Sequence, residues 1–156
     1  MDNVVRLTTI TREENPEAPL ILLGHSMGSF AAQQFVLDHS ELIEGLALSG
    51  SGELDGLVHV VQSGKRTPSE IVNAGFEPAR TPYDWLSRDP ATVAEFMRDP
   101  LCFGCLQPAA NESFFAAALE LADPVRLGRT RHDLPIYVFS GSEDFSASDS
   151  KACPSF

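Results

Sequence analysis

The chain has 156 residues, enough for one domain with a single buried core. Its 43% apolar and 21% charged residues suit a folded globular protein and exclude a disordered one. Against 11 Lys and Arg stand 22 Asp and Glu, a formal net charge of -11 that repels a phosphate backbone, and no basic run offsets it. Nucleic acid is therefore not an expected partner.

Met1-Asp2-Asn3 opens the chain without the apolar segment of a secretory leader. The longest apolar run, Leu20 to Leu23, is too short to cross a bilayer. Three cysteines cannot all pair within one chain, so free thiols in a reducing compartment, the cytoplasm, are expected.

In chain order, residues 3–12 predict a helix on the recurrence of Val4, Leu7 and Ile10, stopped by Asn15 and Pro16. Leu20-Ile21-Leu22-Leu23 predicts a strand buried on both faces of a parallel sheet. Residues 24–28 predict a turn. Ala31, Ala32, Phe35 and Val36 then mark one face of a helix ending near His39. Gly45 to Ser49 is a second buried strand. Strand, helix, strand implies a parallel pair joined by a crossover, hence a doubly wound α/β fold with helices flanking a parallel sheet.

Residues 53–110 change character. Thr67-Pro68-Ser69-Glu70 has the form of a capping box, Asp89-Pro90 opens a second helix that stops before Pro100, and no strand period interrupts them. The stretch reads as a helical cap inserted into a core made of residues 1–52 and 111–144. Asn111 is the expected cap of a helix carrying Phe114, Phe115, Ala118, Leu119 and Ala122. Ile136 to Phe139 is a third buried strand. Residues 145–156 form a serine-rich tail without helical or strand period.

Gly24-His25-Ser26-Met27-Gly28 matches G-x-S-x-G, with an apolar strand before it and an amphipathic helix after it. In that context the serine sits on a strained turn that lifts its hydroxyl off the sheet, and glycines flank it where side chains would meet backbone. The Met27 N–H falls at a helix N-terminus, suited to an oxyanion. Ser26 is thus the candidate nucleophile, and Met27 a candidate oxyanion donor. Asp144 lies beyond the third strand, where catalytic groups collect in open α/β sheets; it could orient a histidine or be a solvated loop carboxylate.

The elbow Pro19 to Ser29, the segments Asp84 to Asp89 and Asp99 to Cys102, and the block Leu134 to Asp144 together resemble the monoacylglycerol lipase and lysophospholipase branch of the α/β-hydrolases, the serine aminopeptidase S33-like group. The similarity runs from about residue 3 to Asp144, with the blocks in order. It implies hydrolysis of carboxylic esters, lipid monoesters in particular, through an acyl-enzyme on Ser26. It implies Asp144 as the acid, no metal or cofactor, and a peripheral approach to membranes that present a lipid substrate. An aminopeptidase or amide hydrolase on the same scaffold is the alternative, because the elbow does not distinguish ester from amide.

The family's catalytic histidine follows its acid, and no histidine follows Asp144. Of the four present, His25 reads as a packing or hydrogen-bonding residue beneath the elbow. His39 is a helix-end cation, His59 a cap residue, and His132 a residue before the third strand at the far end of the sheet. The family's second oxyanion donor lies upstream of the helix with which this chain starts. The expectation is a copy truncated at both ends, which makes a non-catalytic fragment the rival reading.

Cys102-Phe103-Gly104-Cys105 is a C-x-x-C without a second pair or nearby histidine, so ordinary thiols are expected. Phe76, Tyr83, Trp85, Phe96 and Phe103 give the cap an aromatic character that packs it and could line an acyl pocket. Oligomeric state is left open.

Overall fold

The structure is a computed structural model that describes residues 1–52, 72–102, 108–121, 123–142 and 144. Its elements in order are α1 (Asp2–Glu14), β1 (Ile21–His25), α2 (Met27–His39), β2 (Gly45–Ser49), α3 (Pro90–Arg98), α4 (Pro108–Leu121), α5 (Pro124–Leu127) and β3 (Ile136–Phe139). Short 3₁₀ turns cover Ser40–Leu42 and Asp84–Leu86.

The three strands form one parallel sheet in the order β1-β2-β3. Leu22, Leu46 and Ile136 stand in register, as do Gly24, Leu48 and Val138. That face of the sheet carries the core: Leu46 and Leu48 pack with Ala32, Phe35 and Val36 of α2, and with Ile43 and Leu134. Val4 and Val5 of α1 add to its rim.

The other face differs from expectation. Side chains alternate across a strand, and Ile21, Leu23 and Tyr137 are 55%, 61% and 67% exposed on the other face. Strand β3 is exposed on both faces, with Phe139 at 40% and Ile136 and Val138 of the core face at 42% and 45%. Of the three strands only β2 is largely buried, because it alone has a strand on either side. An apolar run cannot say whether one face or both will be covered.

Helix α1 also turns a different face inward. Leu7 and Ile10 are exposed, whereas Val4 and Val5 are half-buried and Thr8 is buried. Thr8 can be buried because its Oγ1 donates to the Val4 carbonyl at 2.8 Å. Glu44 fastens the helix to the sheet, accepting from Arg12 Nη2 and from the Leu20 N–H, both at 2.6 Å. These bonds, the Arg12 bond foremost, hold its carboxyl below the usual range.

Helices α3 and α5 start alike. Asp89 accepts from the Ala91 N–H at 2.9 Å and Asp123 from the Val125 N–H at 2.8 Å, each with proline in the first turn. Asp123-Pro124 is the same Asp-Pro start signal as Asp89-Pro90. Helix α4 starts at Pro108, so Asn111 lies inside it and is not its cap. Arg126 of α5 pairs with Asp38 of α2 and Glu120 of α4.

The chain divides into two compact units, Met1–Asp55 with Ala116–Phe156, and Gly56–Phe115. In the second, Asp84 is buried and accepts from the Thr81 hydroxyl at 2.7 Å and from the Arg80 N–H at 2.6 Å. Asn73 bonds the Pro82 carbonyl and the Trp85 N–H, and the rings of Tyr83 and Phe96 lie 5.2 Å apart. No strand occurs among its described residues. The capping box at Thr67, His59, Phe103, Cys105, Ala122 and the tail 145–156 lie outside the described residues.

Candidate active site

Strand β1 ends at His25 and α2 begins at Met27, so the whole change of direction falls on Ser26. Its backbone has φ 52 and ψ -124, the only positive φ at a non-glycine residue among those described. Such a conformation costs on the order of 1–3 kcal/mol and persists only where its surroundings impose it. Here the Ser26 N–H donates to the Ser49 carbonyl at 2.9 Å, extending the β1–β2 ladder. The Ser26 carbonyl accepts from the Ser29 N–H at 2.8 Å.

Close passage of α2 over β1 requires Gly24. A Cβ there would stand 2.5 Å from the Gly28 carbonyl oxygen, 2.7 Å from Ser29 Cα and 2.9 Å from Ala32 Cβ. Gly28 does not match the expectation, since a Cβ there meets nothing within 4 Å. Only the first glycine of the motif is required by sterics among the described residues. Met27 stands in the first turn of the 13-residue α2, so its N–H lies at the positive end of the helix dipole.

Asp144 lies beyond the carboxyl end of β3, and Ser26 follows the carboxyl end of parallel β1, so both are at the same end of the sheet. Gly50, just after β2, sits between the two chain segments. Its N–H donates to the Phe139 carbonyl at 3.0 Å. At φ 54 a Cβ on Gly50 would be 3.0 Å from Asp144 Oδ2 and 3.3 Å from His25 Cε1. The Ser140 hydroxyl donates to Asp144 Oδ2 at 2.7 Å. The His25 Nδ1 and the Ser49 Oγ lie 3.0 Å apart. The ends of all three strands thus converge on one small polar cluster.

The histidines fall as follows. His25 is exposed and hydrogen-bonded to Ser49, so it takes part in hydrogen bonding but is not packed beneath the elbow. His39 lies in the last turn of α2 with its ring 5.4 Å from that of Phe35. His132 is exposed ahead of β3, at the opposite end of the sheet from Ser26. No group of three or more His, Cys, Asp or Glu set to hold a metal ion occurs among the described residues. The Cys102 thiol is pushed above its usual pKa by burial and by Asp99, away from a reactive thiolate. No helix among the described residues is long and apolar enough to cross a membrane.

Among the described residues, side chains beneath Ser26 that the motif does not contain include Ser29, Ser51 and Gln33. Ser29 Oγ is 2.6 Å from the Ser26 carbonyl oxygen and 2.8 Å from Ser51 Oγ, and Gln33 Nε2 is 3.0 Å from Ser51 Oγ. Only the helical spacing of 29 and 33 hints at them; Ser51 arrives from β2.

A parallel sheet, a helix rising directly from a positive-φ serine, and flanking helices on one face define an α/β-hydrolase. The chain belongs to the serine aminopeptidase S33 family of hydrolases, whose family model it matches over residues 1–153. Among solved structures it is similar to a highly thermostable carboxyl esterase from Bacillus coagulans determined in complex with glycerol. The identity is 26% and the TM-score 0.67, over 87% of this chain and 50% of that one. It also shares the fold of a lipase in an open form, at 21% identity and a TM-score of 0.59, over 93% of this chain and 54% of that one. The chain therefore spans about half the length of the solved structures it matches. Among curated proteins none matches it.

Proposed function

We propose that the chain carries the nucleophile of a carboxylic ester hydrolase, with Ser26 forming an acyl-enzyme and lipid monoesters as the substrate class. The positive φ of Ser26 at the start of α2 carries this reading, because a non-glycine residue is held there only under constraint. In the reaction the Ser26 Oγ attacks the ester carbonyl and the alcohol leaves. The Met27 N–H faces the oxyanion, and water then releases the acid. Asp144 serves as the acid that orients a histidine. Residues 53–110 act as a cap that selects the acyl chain, and their aromatic residues suit an apolar tail. The esterase likeness at 26% identity supports an ester substrate.

A second reading, hydrolysis of amides by an aminopeptidase, is favoured by the description of the family itself. The base remains to be supplied. No histidine follows Asp144 in this sequence; among the described residues His25 and His39 are engaged and His132 is placed elsewhere, and His59 lies outside them. The chain by itself is therefore expected to hydrolyse p-nitrophenyl esters no faster than its Ser26→Ala variant. Imidazole added as a surrogate base should raise the rate above that of imidazole alone in the parent chain only. Equal rates in the two proteins with imidazole would reject Ser26 as nucleophile. Faster turnover of an aminoacyl p-nitroanilide than of the ester would select the amide reading.

A further inference from the structure

With Ser26 as the proposed nucleophile, the peptide group that follows it carries the oxyanion donor. Its carbonyl and the Met27 N–H belong to one planar unit and point in opposite directions. Whatever holds the Ser26 carbonyl inward therefore aims the Met27 N–H outward.

The Ser29 N–H, 2.8 Å from the Ser26 carbonyl oxygen, does so in part, and three side chains beneath the turn add to it. Ser29 is fully buried and Ser51 is buried, so their hydroxyls must be satisfied within the protein. Each hydroxyl has one proton. The Ser26 carbonyl can only accept, so the Ser29 proton goes to it across 2.6 Å. The 2.8 Å contact between Ser29 and Ser51 then takes its proton from Ser51. Ser51 has none left for Gln33, so the 3.0 Å contact is filled by the Gln33 amide N–H. The direction is fixed throughout: Gln33 to Ser51, Ser51 to Ser29, Ser29 to the Ser26 carbonyl.

We infer that Gln33, Ser51 and Ser29 form a one-way hydrogen-bond chain that holds the Ser26–Met27 peptide in place and strengthens the Met27 N–H as an oxyanion donor. Ser29 and Ser51 are positioning residues; neither need touch the substrate. Strengthening follows because each donor in such a chain polarises the next, and a hydrogen bond to an amide carbonyl makes its N–H a better donor. The inference deepens the reading of Ser26 as nucleophile and rests on it for its catalytic meaning, whereas the chain of bonds can be measured without any reaction.

Ser26-Met27 is the sole Ser-Met pair in the sequence. Labelling with carbonyl-¹³C serine and ¹⁵N methionine therefore gives one carbonyl–amide NMR correlation that reports this peptide. Ser29→Ala is expected to move the Ser26 carbonyl and Met27 amide-proton resonances upfield. Ser51→Ala should move both the same way by less. Ser40→Ala serves as control, since it removes another buried hydroxyl, one that accepts from the Arg131 N–H on a different part of the unit. It should leave both resonances in place. Imidazole-assisted labelling of Ser26 by a fluorophosphonate should slow roughly tenfold in Ser29→Ala, less than the loss of a whole oxyanion donor, and stay at the parent rate in Ser40→Ala.

Unmoved resonances in Ser29→Ala, or an equal move in Ser40→Ala, would overturn the chain. Moved resonances with an unchanged labelling rate would overturn its positioning role. Should the parent chain take no label, the nucleophile reading falls, and the resonances still decide whether the chain of bonds exists.

Discussion

Gly24→Ala is a direct perturbation of the elbow. The added Cβ would stand 2.5 Å from the Gly28 carbonyl oxygen and 2.7 Å from Ser29 Cα, both backbone atoms that no rotamer change can move. Carbon atoms pack best at roughly 3.5–4.0 Å, so the overlap is on the order of an ångström. Relief requires α2 to lift from β1, which would loosen the packing of Ala32 and of fully buried Phe35. Overpacking of a rigid core typically costs about 1–3 kcal/mol, and a clash against backbone belongs at the upper end or above. Gly28→Ala is the internal comparison: its Cβ meets nothing within 4 Å, and alanine is the better helix former. Its effect should lie between neutral and a gain of about 1 kcal/mol. Urea unfolding followed by circular dichroism reads both as midpoint shifts at constant slope. A Gly24→Ala protein as stable as the parent, or equal losses in the two variants, would refute the close-approach argument.

Further outcomes follow from the same geometry. Ser26→Gly should be more stable than Ser26→Ala by about 1 kcal/mol, because glycine adopts φ 52 without strain; equal melting points would argue against a strained turn. Asp84 is held at a pKa of about 2, from an ordinary 3.8, chiefly by the Thr81 hydroxyl, with Arg80 adding to it and burial opposing. A depressed folded-state pKa adds stability that is present above pH 3.8 and is lost as pH falls through about 2. The stability gap between the parent and Asp84→Asn should therefore be constant above pH 3.8 and close toward pH 2; a gap that does not close on acidification would contradict the assignment. The exposed apolar side chains on the two edge strands, Ile21 and Leu23 of β1 and Tyr137 and Phe139 of β3, should drive concentration-dependent association of the isolated chain. Light scattering should show this, and a Leu23→Lys, Tyr137→Lys variant should reduce it; a parent that stays monomeric at high concentration would count against it.

Much of the frame was legible in the sequence because short apolar runs between turn residues have few alternatives. Gly45–Ser49 and Ile136–Phe139 are strands with the boundaries read from the pattern. The first strand runs on to His25, since the ladder to β2 continues through Gly24 and His25 pairs with Ser49. Burial was less legible. The pattern cannot tell how many faces of a strand will be covered: β1 is exposed at Ile21 and Leu23, and all four residues of β3 are exposed. Thr8 replaced Leu7 and Ile10 on the inner face of α1 because a back-bonded hydroxyl can be buried, which hydrophobic periodicity does not register. The elbow was found from its motif, but the residues beneath it were not. Ser29 and Ser51 carry no chemistry of their own in sequence, and they acquire a role only when β2 brings them to 2.8 Å.

Ser26 is proposed as a nucleophile held ready at the head of α2. Treating the chain with a fluorophosphonate in the presence of imidazole and locating the adduct by peptide mass spectrometry tests it most directly. A single adduct on Ser26 is expected, formed faster with imidazole than without and absent from the Ser26→Ala protein. No adduct at Ser26, or adducts spread over other serines at equal rates, would contradict it.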